Sequence, residues 1–88
     1  MSVRLRRDVR FRVVGDEAIV IRQRAAEVLV LNEVGARILQ LLEVEPNLDE
    51  LVDSLAQEFE AERSQLQADA VAFVAELVEA GVLEEVSP

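Results

Sequence analysis

The first third of the chain alternates in the manner of β-strands. In Arg10-Phe11-Arg12-Val13 polar and apolar residues take turns, the period of a half-buried strand with Phe11 and Val13 inward and the arginines outward. Gly15, Asp16 and Glu17 supply turn chemistry. Ala18 to Ile21 form a short β-branched run that predicts a second strand. Arg22 to Ala26 connect it to a third, Val28-Leu29-Val30-Leu31. The connections are too short for crossover helices, so the expected arrangement is a three-stranded antiparallel meander.

At Asn32 the period changes to that of a helix. Asn is a good N-cap, and Val34, Ile38, Leu41 and Leu42 then recur at helical spacing until Pro46. Gly35 falls in the first turn, where the helix start passes the sheet or simply lies at the surface. A second helix opens on Asn47 with Glu50 three residues on. Its apolar stripe is Leu48, Leu51, Val52, Leu55, Ala56 and Phe59. A third is expected to start at the capping box Ser64-Gln65-Leu66-Gln67 and to end at Gly81 as the C′ residue. Leu66, Ala70, Phe73, Val74 and Leu77 form its main stripe, with Val71, Ala75 and Val78 beside it, so its apolar arc is wide. Val82, Leu83 and Val86 are expected to return as an extended tail against the core.

The expected fold is therefore α+β and winged helix-turn-helix-like, a three-stranded antiparallel sheet followed by three helices. Residues 1–88 are read as one domain, with strands over about 9–31 and helices over about 32–81.

Charge divides this architecture in two. Residues 1–24 hold seven Arg against three acids, a net +4, while residues 25–88 hold two Arg against fifteen acids, a net −13. The chain has no Cys and no His, which excludes disulfides, thiolate metal sites, thiol nucleophiles and histidine-based triads. No apolar run approaches the ~20 residues of a membrane span. The first twelve residues carry five Arg and no apolar h-region, so the expected location is the cytoplasm.

The carboxylates read as solvated helix faces and N-terminal helix charges rather than a catalytic pair. Neither an EF-hand loop nor a phosphate-binding glycine loop is present, so no cofactor is expected. A winged-helix DNA-binding regulator is the alternative suggested by element order. Charge argues against it: no base follows Arg63, and an acidic helix face is repelled by the phosphates of a duplex whose major groove a recognition helix must enter. The third strand is unusual in being apolar on both faces. In a meander it is an edge, and an apolar edge with unpaired backbone groups invites another strand. A buried central strand, or a dimerisation module, would account for the same residues.

Three segments in order carry a family resemblance. Leu31-Asn32-Glu33-Val34-Gly35-Ala36-Arg37-Ile38-Leu39 resembles the LN-x-x-G/T-A-x-x-I/L segment of PqqD-like proteins, the RiPP recognition elements. Asn47-Leu48-Asp49-Glu50-Leu51 resembles that family's second helix. Asp69-Ala70-Val71-Ala72-Phe73-Val74-Ala75-Glu76-Leu77, with Gly81-Val82-Leu83, resembles its third helix and ending. The resemblance spans about residues 9–84. The chain departs from the pattern at Glu43-Val44-Glu45-Pro46, where the family often turns on Asp-Gly. It departs again at Arg24-Ala25-Ala26, where a glycine is usual, and at Ala70, often Val.

The resemblance implies a non-catalytic adaptor for precursors of ribosomally made, modified peptides. A precursor's leader region would add as a strand beside the third strand and pack on the third helix. The partners it implies are that leader peptide and separate modifying enzymes, either a protease and cyclase of lasso type, which is favoured, or a radical enzyme. Nucleic acid and membrane are not expected partners. By position, Glu27, Val28, Leu29, Val30 and Leu31 would contribute backbone groups. Phe73 and Leu77 would wall an apolar pocket, and Asp69 and Glu76 would meet basic leader residues at its rim. Val71 and Val78 remain the alternative lining, since periodicity alone does not say which edge of the helix faces the peptide. The arginines of the first strands would be left free for acidic enzyme surfaces.

Overall fold

The computed structural model describes residues 2–86. Strands β1 (Val3–Leu5), β2 (Val9–Val14), β3 (Glu17–Arg22) and β4 (Glu27–Leu31) precede helices α1 (Glu33–Leu42), α2 (Leu48–Glu58) and α3 (Arg63–Glu79), and β5 (Leu83–Glu85) ends the order. β2, β3 and β4 form the expected antiparallel meander in that spatial order. The strand expected as the third is thus β4, and it is an edge.

Local chemistry explains the turns. Gly15 takes φ +64° as the first residue of a two-residue hairpin, the position where a type II′ turn wants glycine. Asn32 caps α1 by accepting from the Gly35 N–H at 3.0 Å. Asn47 caps α2 in the same way through the Glu50 N–H at 3.2 Å. The other half of that box is filled by Glu45, whose carboxylate accepts from the Asn47 N–H at 3.0 Å. At the end of α3 the Gly81 N–H bonds to Val78 O and the Val82 N–H to Leu77 O, a Schellman motif around Gly81 at φ +81°.

Two features differ from the sequence reading. α3 begins at Arg63, two residues before a Ser64 N-cap would place it, with Glu62 at the N-cap and no side-chain cap, so the Ser64–Gln67 box does not form. Arg63 organises this turn instead, donating to Asp53 of α2 at 2.9 and 2.6 Å and to Gln67 at 3.2 Å. The second difference is β1. The C-terminal tail does return, and it pairs antiparallel with β1, Val3 opposite Glu85 and Leu5 opposite Leu83. β1 is also tied to the α1–α2 loop through the Val3 N–H and Pro46 O at 3.1 Å.

The helices cover one face of the meander. Val9, Ala18 and Val20 from the sheet meet Ile38 and Leu39 of α1, Leu51, Val52 and Leu55 of α2, and Val74 and Leu77 of α3. No helix among the described residues is long and apolar enough to cross a membrane.

Candidate functional site

The two edges of the meander are built differently. Hydrogen-bonded and non-bonded pairs alternate along an antiparallel ladder. The two-residue hairpin makes Val14–Glu17 a bonded pair, so Ile19 and Ile21 bond toward β2, and Ala18, Val20 and Arg22 bond toward β4. Their partners on β4 are Leu31, Leu29 and Glu27. Val28 and Val30 therefore direct their N–H and C=O groups to the open edge. On the opposite edge, β2 carries arginines, and the Arg10 guanidinium itself covers Val9 O at 2.8 Å and Arg7 O at 2.9 Å. Charged side chains blunt an edge against pairing. β4 has no such protection beyond Glu27, which is held by Arg22 at 2.8 Å.

Immediately after the end of β4, Asn32 lines a cavity of about 300 Å³ where α1, α2 and α3 converge, with Val34, Gly35, Asp69, Ala70 and Phe73 among its other walls. Gly35 allows the convergence. A Cβ placed there would lie 2.8 Å from Phe73 Cζ and 3.2 Å from Leu31 Cβ. Phe73 is half-buried, and its ring joins the end of β4 to the cavity wall.

α3 turns one flank toward β4. At 100° per residue, Asp69, Phe73 and Glu76 share a flank that Val71 and Val78 do not. Phe73 contacts the Gly35 side, so the Val71 flank points away. Asp69 lines the cavity and accepts from Gln65 at 2.9 Å. Glu76 is exposed beyond it. Leu77 is a correction to the expected pocket wall: it is 5% exposed and belongs to the core, where it backs the flank instead of lining it. On β4, Leu29 and Leu31 turn toward the core at half burial, while Val28 and Val30 are 60% and 61% exposed on the other face. β4 is therefore not a buried central strand.

Larger space lies elsewhere. A depression of about 560 Å³ beside β1 and β2 is walled by Arg6, Arg7 and Arg10 with Phe11. It sits at the blunted edge and offers no free strand. Among the described residues no cluster of three or more acidic side chains is arranged to hold a metal ion.

Fold and site together define a small α+β domain of winged-helix type with one bare sheet edge opening onto an apolar cavity. The family model described as Coenzyme PQQ synthesis protein D (PqqD) matches residues 17–83. The chain belongs to the PqqD family. Comparison with curated proteins finds no match. Among solved structures, TbiB1 in complex with the TbiA(beta) leader peptide superposes with a TM-score of 0.88 at 25% identity, over 97% of this chain and 99% of that one. Lasso peptide synthetase B1 complexed with its leader peptide gives 0.86 at 26% identity, over 97% and 100%. The PqqD truncation of Methylobacterium extorquens PqqCD, described as a functional and stand-alone RiPP recognition element, gives 0.77 at 23% identity over 96% and 89%, a likeness of fold.

Proposed function

We propose that this chain is a non-catalytic adaptor that binds the leader region of a ribosomally synthesised precursor peptide. The observation that carries this reading is the bare β4 edge, with the backbone groups of Val28 and Val30 unpaired beside the Phe73 cavity. A leader segment adds there as a fourth strand. Main-chain hydrogen bonds to Val28 and Val30 supply affinity, and an apolar leader side chain seated in the cavity lined by Val34, Ala70 and Phe73 supplies selectivity. Asp69 and Glu76 favour basic leader residues near that anchor. The likeness to two leader-bound B1 structures supports a lasso-type pathway, in which the domain delivers its precursor to a separate protease and cyclase.

Fluorescence anisotropy with a labelled leader from the neighbouring precursor gene tests this reading. Saturable binding that survives moderate salt is expected, since strand addition does not depend on counterion release. Absence of saturation up to roughly 100 μM would overturn it. Duplex DNA is expected not to bind, because the exposed side of α3 is acidic.

A further inference from the structure

The sheet has a second apolar surface that leader binding does not use. The register sets Arg10, Ile21 and Val28 in one cross-strand row and Arg12, Ile19 and Val30 in the next. These residues all lie on the face opposite the core, with the Arg10 guanidinium folded back over the β2 edge onto Val9 O and Arg7 O. Val28 and Val30 are about three-fifths exposed there and Ile21 is 42% exposed. An apolar strip of this kind, rimmed by charge, marks an interaction surface.

Its electrostatics select the occupant. Among the described residues Arg10 and Arg12 enter no ion pair, and Arg10 touches only main-chain oxygens. Among the described residues of β2, β3 and β4, Glu17 is the one acid on this face, at its far corner opposite Val14. A second copy laid face to face would set arginine over arginine or, turned about the strand direction, arginine over Val28 and Val30, and in neither case does it bring carboxylates to Arg10 and Arg12. The complement is a different protein, apolar at the centre and carboxylate-rimmed.

Strand addition changes this surface. Side chains of an added strand alternate between faces, so leader residues opposite Val28 and Val30 project outward and form a further column beside them. We propose that the outer face of β2–β4 docks a precursor-modifying enzyme bearing an acid-rimmed apolar patch, and that the leader's outward side chains complete the docking surface. The enzyme then recognises the loaded adaptor in preference to the empty one. This rests on the adaptor reading above. Because the coupling is reciprocal, the enzyme also tightens leader binding by the same factor.

The test uses the full chain and the purified enzymes encoded with the precursor. Each enzyme is titrated against immobilised chain, with and without saturating leader. At least one enzyme is expected to bind about fivefold or more tightly when leader is present. A leader whose two outward residues are changed to glutamate should retain docking on β4 but lose that gain, because the acid rim repels them. The double variant Arg10→Glu/Arg12→Glu, and separately Ile21→Glu, should weaken enzyme binding by about tenfold or more. Both should keep leader affinity within about twofold, because neither site lies on the β4 edge. Equal enzyme affinity with and without leader, or enzyme affinity untouched in both variants, overturns the proposal. So does failure of every such enzyme to bind a chain that does bind leader. Failure to bind leader at all would instead strike the adaptor reading.

Discussion

Phe73 and Gly35 approach so closely that a methyl group on Gly35 would stand 2.8 Å from Phe73 Cζ. Leu31 Cβ closes the same space from the sheet, at 3.2 Å. The end of β4, the first turn of α1 and the middle of α3 are thus joined at one point, and that point is the mouth of the cavity.

Gly35→Ala should displace the Phe73 ring. Alanine favours a helix by about 1 kcal/mol over glycine, which offsets part of the clash. The melting temperature is therefore expected to move by only a few degrees, whereas leader affinity falls about fivefold or more as the cavity changes shape. Anisotropy and thermal melts on the same samples separate the two effects. Phe73→Ala gives the complementary result. Its half-buried ring should cost less than the ~3–5 kcal/mol of a fully buried phenylalanine, with a larger loss in binding. A large fall in stability with leader affinity unchanged would place Phe73 outside the site.

Val30→Pro acts on the backbone. The Val30 N–H points to the open edge, so proline there removes no bond to β3 and the fold should survive. It removes one donor that an incoming strand would use and fills the edge with a ring. Leader affinity is expected to drop about tenfold or more while circular dichroism and melting temperature stay near the parent values. A folded variant with unchanged affinity would show that β4 is not the docking edge.

The meander, the three helices and the special place of β4 are legible in the sequence because each is signalled locally. Period-two alternation, an asparagine before each of the first two helices and a glycine after the third suffice. β1 is not legible: Val3-Arg4-Leu5 is a short alternation among arginines, and its partner lies at the other end of the chain. The Ser64 box fails for a related reason, since the tertiary ion pair between Arg63 and Asp53 decides that turn. Within the candidate site, Phe73 and Leu77 look alike by periodicity, and only the approach of Phe73 to Gly35, with Leu77 turned into the core, separates a half-exposed ring from a buried leucine. The outward projection of Val28 and Val30 follows from edge position together with hairpin register, which the residue types do not encode.

Ala26 carries a local strain that glycine would remove. It sits at φ +52° in the β3–β4 connector, a left-handed conformation that costs an L-residue about 1–2 kcal/mol. This is the connector where related sequences usually place glycine. Ala26→Gly loses some of that gain to backbone entropy in the unfolded chain, about 0.5–1 kcal/mol. The net expectation is a gain of up to about 1 kcal/mol, or a rise of several degrees in melting temperature, with leader affinity unchanged. A lower melting temperature would show that the turn gains nothing from glycine.

Glu84 links the two termini and gives their pairing a pH dependence. It accepts from Arg4 Nε at 2.8 Å across the β1–β5 ladder and faces Arg6 at 3.7 Å. The hydrogen bond from Arg4, with further attraction from Arg6 and Arg7, holds its carboxyl below the ordinary value of 4.5. A carboxylate whose native pKa is depressed stabilises the fold above its unfolded pKa, and that contribution is lost as pH falls through the native value. Glu50 has the opposite sign. Its hydrogen bond with Glu45 and their mutual repulsion raise its pKa, so its unfavourable charge is relieved on acidification. Comparing Glu84→Gln with the parent chain cancels the Glu50 contribution. The variant should melt at a lower temperature at neutral pH, and the difference should close as pH drops well below 4.5. A difference that persists unchanged in acid would mean that the Arg4–Glu84 contact acts by packing and not by charge.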